Sequence, residues 1–145
     1  MNGMTPIVRV VARIVEGFIF LYGCYIVLYG HLSPGGGFAG GAVIAAGLIL
    51  SRIAFGTNES QERSTSISSS LFEASGGVLY ILIGVLGISV GGYFLLNLFP
   101  WFGKPGYLLS AGSIPLINIA IAIKVAAALL SIFIVLASTK YILKD

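Results

Sequence analysis

Gly30-His31-Leu32-Ser33-Pro34-Gly35-Gly36-Gly37-Phe38-Ala39-Gly40-Gly41 lies between two long apolar runs, and its reading decides the fold. Pro34 has no backbone donor and a fixed φ, and the three glycines after it open backbone conformations closed to other residues, so the chain turns tightly here. The glycines then continue into the next apolar run. Gly36 and Gly40, and Gly37 and Gly41, are each four apart, which gives that helix a bare face open to a neighbouring backbone. The stretch is the tip of a helical hairpin and the start of a packing surface.

The rest of the chain agrees. Of 145 residues, 57% are hydrophobic and 9% charged, and a mean hydropathy of +1.03 is far above that of a domain with a solvated surface. Backbone in lipid must satisfy its own hydrogen bonds, and long apolar runs without alternation exclude a barrel, so the spans are helices. The expectation is an all-α integral membrane protein of the cell membrane, one domain over residues 1–145, with four transmembrane helices at about 7–29, 38–55, 71–99 and 114–137. The first run carries Arg9, Arg13 and Glu16 and has no small-residue cleavage site, so it reads as a retained span rather than a leader. Cys24 reads as a small hydrophobe.

Two segments read as loops on opposite faces. Residues 56–70, rich in Ser and Thr and opened by Gly56, read as a solvated loop, and residues 100–107, with two prolines and several rings, read as a turn at headgroup level. In the third span Gly77, Gly84 and Gly91 recur every seven residues, a stripe suited to receive another helix, and Gly91-Gly92 is its weakest point. Glu73, near the start of that span, suits the helix dipole. Both termini and the 56–70 loop share a face that collects Arg9, Arg13, Arg52, Arg63, Lys140 and Lys144, against Lys104 alone on the other. The positive-inside rule therefore puts both termini in the cytoplasm.

Three polar residues stand out as candidates for an ion pathway or a buried polar pair. Glu16 lies roughly 14 Å into the first span, where it either anchors to Arg13 one turn away or lines an ion or proton route. Lys124 lies roughly 15 Å into the last span, too deep to snorkel easily, and calls for a functional partner or a neighbouring subunit. Their heights differ by about 5 Å, so Glu16 and Lys124 are expected to pair or to share one polar line. His31 either relays protons or bonds carbonyls freed by the turn. The glycine faces, including Pro34, Gly35, Gly36, Gly37, Gly40, Gly41, Gly77, Gly84 and Gly91, serve turns and helix packing. No phosphate-cradling loop, metal-ligand spacing or nucleophile set is present, so no catalytic residue, metal, bound cofactor or nucleic-acid partner is expected of this chain.

The stretch from Gly30 to Gly41 resembles the G-H-x-x-P-G-G-G-F-x-G-G signature of the B subunit of Mrp-type multisubunit sodium/proton antiporters, and the four-span layout agrees over nearly the whole chain. The resemblance implies a small membrane subunit beside other membrane subunits related to the proton-pumping parts of respiratory complex I, with sodium ions and protons as transported species. The same module occurs in archaeal membrane-bound hydrogenase and a related sulfur-reducing complex, where the resemblance implies that any NiFe site and iron–sulfur clusters belong to partner subunits. Asn118 stands where bacterial antiporter members tend to carry an acidic residue after Pro115-Leu116-Ile117, and Lys124 is not usual there, which tilts the expectation toward the archaeal respiratory type. The competing readings are a purely structural, helix-packing subunit of that membrane arm and a subunit of a stand-alone Mrp antiporter.

Overall fold

The computed structural model describes residues 3–56, 59–98, 104, 106–108 and 110–142, with side chains left aside at 59–63 and 139–142. The turn at Pro100-Trp101-Phe102-Gly103, the last residue of the expected third span and the charges of Arg63, Lys140 and Lys144 therefore lie outside the described residues. Four helices are described: α1 (Pro6–Leu28), α2 (Gly37–Phe55), α3 (Glu59–Gly91) and α4 (Ile114–Ile142). Each is long and apolar enough to cross a membrane, and among the described residues there is no strand.

The first, second and fourth helices begin within one residue of the expected positions. The third does not. The serine-rich segment expected as a loop is helical from Glu59, and α3 ends at Gly91 rather than continuing to 99. No glycine or proline interrupts residues 59–75. The serines also bond back to their own helix: Ser68 and Ser70 donate to the carbonyls of Ser64 and Ser66, four residues earlier, and Ser69 and Ser75 to those of Ser66 and Phe72, three earlier. A hydroxyl satisfied in this way carries no need for water, so a polar composition is compatible with a membrane helix. The far end breaks where glycine permits it, with Gly92 at φ +80°.

The helices form a row in the order α1, α2, α4, α3, with a slighter approach between α1 and α4. Polar contacts fix their directions. Met4 N–H donates to Ala54 O, so α1 starts where α2 ends. Arg52 near the end of α2 reaches Thr65 near the start of α3, and Ser131 late in α4 donates to Ser69 early in α3 at 2.8 Å. The start of α1 and the end of α4 thus share one membrane face, called here the terminal face; the other is the loop face.

Glycine sets the spacing of this row. A Cβ on Gly37 or Gly41 would run into the α4 backbone at Asn118 O and Ala122 O, and one on Gly40 would lie 2.9 Å from Gly23 O and 3.0 Å from Val27 N of α1. So α2 has two bare faces, one for each neighbour. The buried apolar residues are mainly alanines, such as Ala45, Ala54, Ala120 and Ala126, while Ile7, Phe18, Leu21, Phe38 and Leu136 point outward. Without a hydrophobic drive between helices in lipid, close backbone packing takes over.

The glycine stripe of α3 departs from expectation. Gly76 meets α4, where a Cβ would lie 2.8 Å from Ala120 O, but Gly84, Gly87 and Gly91 receive no helix. The chain doubles back after Gly92, and Phe94 covers Gly84 while Leu96 covers Gly91. Leu95, at φ +58°, donates its N–H to Gly84 O. A heptad of glycines marks a close approach without saying what approaches.

Gly40→Ala is expected to destabilise the chain by about 1–3 kcal/mol through overpacking against α1. Gly17→Ala, with nothing within 4 Å of the added carbon, is expected to stabilise α1 by up to about 1 kcal/mol through helix propensity. Thermal unfolding of both variants in the same detergent measures the opposite signs.

Candidate functional site

Lys124 is ten residues into α4, and its Nζ lies 3.9 Å from Glu73 Oε1 on α3. This is the ion pair found among the described residues. Lys124 lies about 15 Å from the loop-face start of α4, and the contact puts Glu73 at the same depth. Gly77, one turn beyond Glu73, leaves room for the ammonium: a Cβ there would lie 3.6 Å from Nζ. Glu73 and Gly77 share a helix face, so the lysine lies along a carboxylate and a gap. Backbone contact at Gly76 fixes α3 against the Lys124 main chain.

The pair is not buried within the chain. The Lys124 side chain is 51% exposed and that of Glu73 39%, so both charges open onto the outer surface of the row at mid-membrane depth. The expected partner Glu16 is not used. Among the described residues no cation lies within ion-pair distance of Glu16: Lys124 of α4 is turned to Glu73 on α3, the neighbour at the far end of the row from α1. Arg13 instead lies over the Phe55 ring, 5.3 Å from its centroid, a cation–π contact that holds the start of α1 to the end of α2. Glu16 is partly buried on α1.

At the loop face, His31 does not bond the local turn. Its Nε2 lies 3.4 Å from Tyr107 O, across to the segment before α4, and its buried Nδ1 has no partner among the described residues. The turn closes itself: Ser33 donates its hydroxyl and its N–H to Tyr29 O. Gly36 sits at φ +128°, a conformation that favours glycine, and launches α2. The first N–H of α2, on Gly37, has no partner within its helix and donates to Asn118 Oδ1 at 3.4 Å. Asn118 therefore joins α2 to α4 as an acceptor. Asn97 does the same for the approach to α4, accepting from Ser113 N at 2.9 Å.

At the terminal face, Arg52 donates to Thr65, joining α2 to α3, and its buried Nη1 has no hydrogen-bond partner among the described residues. Among the described residues no three His, Cys, Asp or Glu side chains come together as a metal site. In the sequence Glu73 has only a helix-dipole role, because a span begun at Leu71 puts it in a first turn; with α3 beginning at Glu59 it lies well inside the helix, where it meets Lys124. Arg52 read only as the end of a span.

Residues 7–131 match the family model of a domain related to the MnhB subunit of Na+/H+ antiporter. The chain is 28% identical over 139 residues to a putative antiporter subunit mnhB2 of Staphylococcus haemolyticus, covering 92% of this chain and 95% of that protein. It is 41% identical over 145 residues to an uncharacterised protein of Methanocaldococcus jannaschii, covering 97% of this chain and 55% of that one. Among solved structures it resembles a chain of the membrane-bound sulfane sulfur reductase, an archaeal respiratory membrane complex, with TM-score 0.69 and 35% identity over 89% of this chain and 56% of that chain. The chain thus spans little more than half the length of these last two relatives.

Asn118→Ala leaves the Gly37 N–H without its acceptor, and about 1 kcal/mol of stability is expected to be lost. Thermal unfolding beside Asn118→Asp, which keeps an acceptor oxygen, measures the part due to the bond.

Proposed function

The chain belongs to the MnhB family of sodium/proton antiporter subunits, a multi-pass membrane family, and from that premise we propose that it is a non-catalytic membrane subunit of an Mrp-type module within an archaeal respiratory complex. The observation that carries the subunit reading is the Lys124–Glu73 pair, half exposed at mid-membrane depth. Charges there are costly against lipid and face protein or water instead. A neighbouring membrane subunit laid against this face supplies that cover. The likeness to a chain of the sulfane sulfur reductase complex supports the respiratory context.

In this proposal the module moves protons and sodium ions, and the redox energy that drives them comes from partner subunits that hold the iron–sulfur clusters and, in a hydrogenase, the NiFe site. Lys124 and Glu73 form the polar step that this chain presents to the route, with Glu16 and His31 as further polar positions along it. The terminal face, which carries Arg9, Arg13 and Arg52, lies toward the cytoplasm by the positive-inside rule.

One observation favours a second, structural reading: Lys124 and Glu73 neutralise each other, as a pair that only joins subunits would. Lys124→Met separates the two. Loss of sodium/proton exchange in an intact complex is the expected result; loss of assembly would carry the structural reading. Lys124→Met combined with Glu73→Gln removes both charges, so assembly lost in the single variant and restored in the double would show that an unpaired carboxylate, not a missing route, was the fault.

Mild-detergent purification through a tag on this chain is expected to bring other membrane subunits with it, and iron in the partners without nickel would identify a sulfur-reducing complex. Nickel plus iron would mean a hydrogenase. Antiporter subunits without either metal would overturn the respiratory assignment, and a chain recovered alone would overturn the subunit reading.

A further inference from the structure

The two sides of the Lys124–Glu73 pair differ along the seam between α3 and α4. From Glu59 to Ser70 every residue but Ile67 is polar, so the polar part of α3 reaches from the terminal face to within one turn of Glu73. Ser69, 3% exposed, lies inside the seam, and Ser131 of α4 donates to it at 2.8 Å. Ser69 in turn donates to Ser66 O at 3.0 Å. The two hydroxyls form a short chain whose hydrogens point one way, from α4 toward the terminal face.

Glu73 stands at the head of this chain. It shares a face of α3 with Ser69, one turn away, and a long helical side chain covers the turn N-terminal to its own Cα, which here is the turn of Ser69. On α4 the residue one turn from both Lys124 and Ser131 is Ala127, buried and too short to bar a carboxyl group. Toward the loop face the seam closes. Gly76 meets the α4 backbone, Ile83 and Ala120 are buried, and Phe94 covers Gly84. Tyr80 brings a hydroxyl to this part, two turns from Glu73, and among the described residues no hydrogen bond leads on from it.

We propose that Glu73 exchanges its proton with the terminal face, through the hydroxyls of Ser131 and Ser69. The proton leaves the Glu73 carboxyl group for Ser131 Oγ as Ser131 passes its own to Ser69, and Ser69 passes its own to water at the polar part of α3. Each serine oxygen gains one O–H bond and loses one, and the reverse sequence reloads the carboxylate. Lys124 holds the carboxylate left behind. The onward step lies on the exposed side of the pair, toward the neighbouring subunit. Ser69 and Ser131 thus join the route proposed for Lys124 and Glu73, and their role rests on that reading.

The test is sodium/proton exchange by the purified complex in sealed vesicles. Ser131→Val and Ser131→Thr introduce side chains of the same shape that differ by the hydroxyl, so they separate relay from packing. In Ser131→Val exchange is expected to fall about a hundredfold, the lower end of what a positioned proton-transfer group contributes, with the complex intact and the ratio of rates in light and heavy water raised. Ser131→Thr keeps both the rate and the ratio. Ser69→Ala, which removes one atom and adds no bulk, behaves as Ser131→Val does, and Tyr80→Phe changes neither quantity. Equal exchange in Ser131→Val and Ser131→Thr would overturn the proposal, as would a slowed Ser131→Val with an unchanged isotope ratio, or a Tyr80→Phe variant slowed as much. Normal exchange in Lys124→Met would overturn the ion-transport reading and the relay with it. An inactive Lys124→Met beside a fully active Ser131→Val and Ser69→Ala would overturn the relay alone.

Discussion

Helix α2 meets both of its neighbours through backbone rather than through side chains, and only residues without a Cβ permit that. Gly37 and Gly41 admit the α4 main chain, and Gly40 admits that of α1. Because the contacts are between main chains, they fix the height of each helix against the next. That height puts Asn118 opposite the first N–H of α2, and α3, which meets the other side of α4 through Gly76, is fixed so that Glu73 comes level with Lys124. Every polar contact of note inherits its position from the glycine faces. A larger side chain at Gly40 or Gly41 would shift more than its own surroundings.

The outward surface follows a different rule. Large aliphatic and aromatic side chains face away from the row, and small ones face inward, the reverse of the arrangement in a water-soluble core. Polar groups are therefore handled one at a time. Serines bond to their own helix, asparagines take up N–H groups left over at helix starts, and Arg13 lies on an aromatic ring. Lys124 with Glu73 is left facing outward from the chain's own framework.

Much of the fold was legible in the sequence, because apolar run length and glycine spacing follow directly from the thickness of a bilayer and the absence of a Cβ. The four spans, the hairpin at Pro34 and the bare face of α2 all came from that. The failures share a cause. Serine content suggests water, yet a hydroxyl within reach of the carbonyl one turn back is satisfied in a helix. A start at Leu71 in place of Glu59 omits twelve residues of α3, puts Glu73 at a helix end, and leaves Lys124 to Glu16 for a partner. Depth arithmetic can compare heights, but it carries no information on which helices are neighbours. The order α1, α2, α4, α3 does not follow from the order in the chain, so Glu16 and Lys124 could match in height and still not meet. In the same way, the glycines of α3 announced a close contact that proved to be a returning loop.

The order of the row also has a consequence in time. α2 can settle on α1 as soon as both have left the ribosome, since they are joined by a tight turn. α3 comes next, yet the helix that covers its Gly76 face is α4, made last. At ~5–20 residues per second, synthesis of the 29 residues of α4 alone takes on the order of seconds. Through that interval α3 stands in the bilayer with its glycine face and Glu73 uncovered, held to the earlier hairpin mainly at its Arg52 end. The back-folded segment from Tyr93 to Leu96, which needs no later helix, covers Gly84 and Gly91 of α3. The last helix then enters as a wedge between two parts already in place.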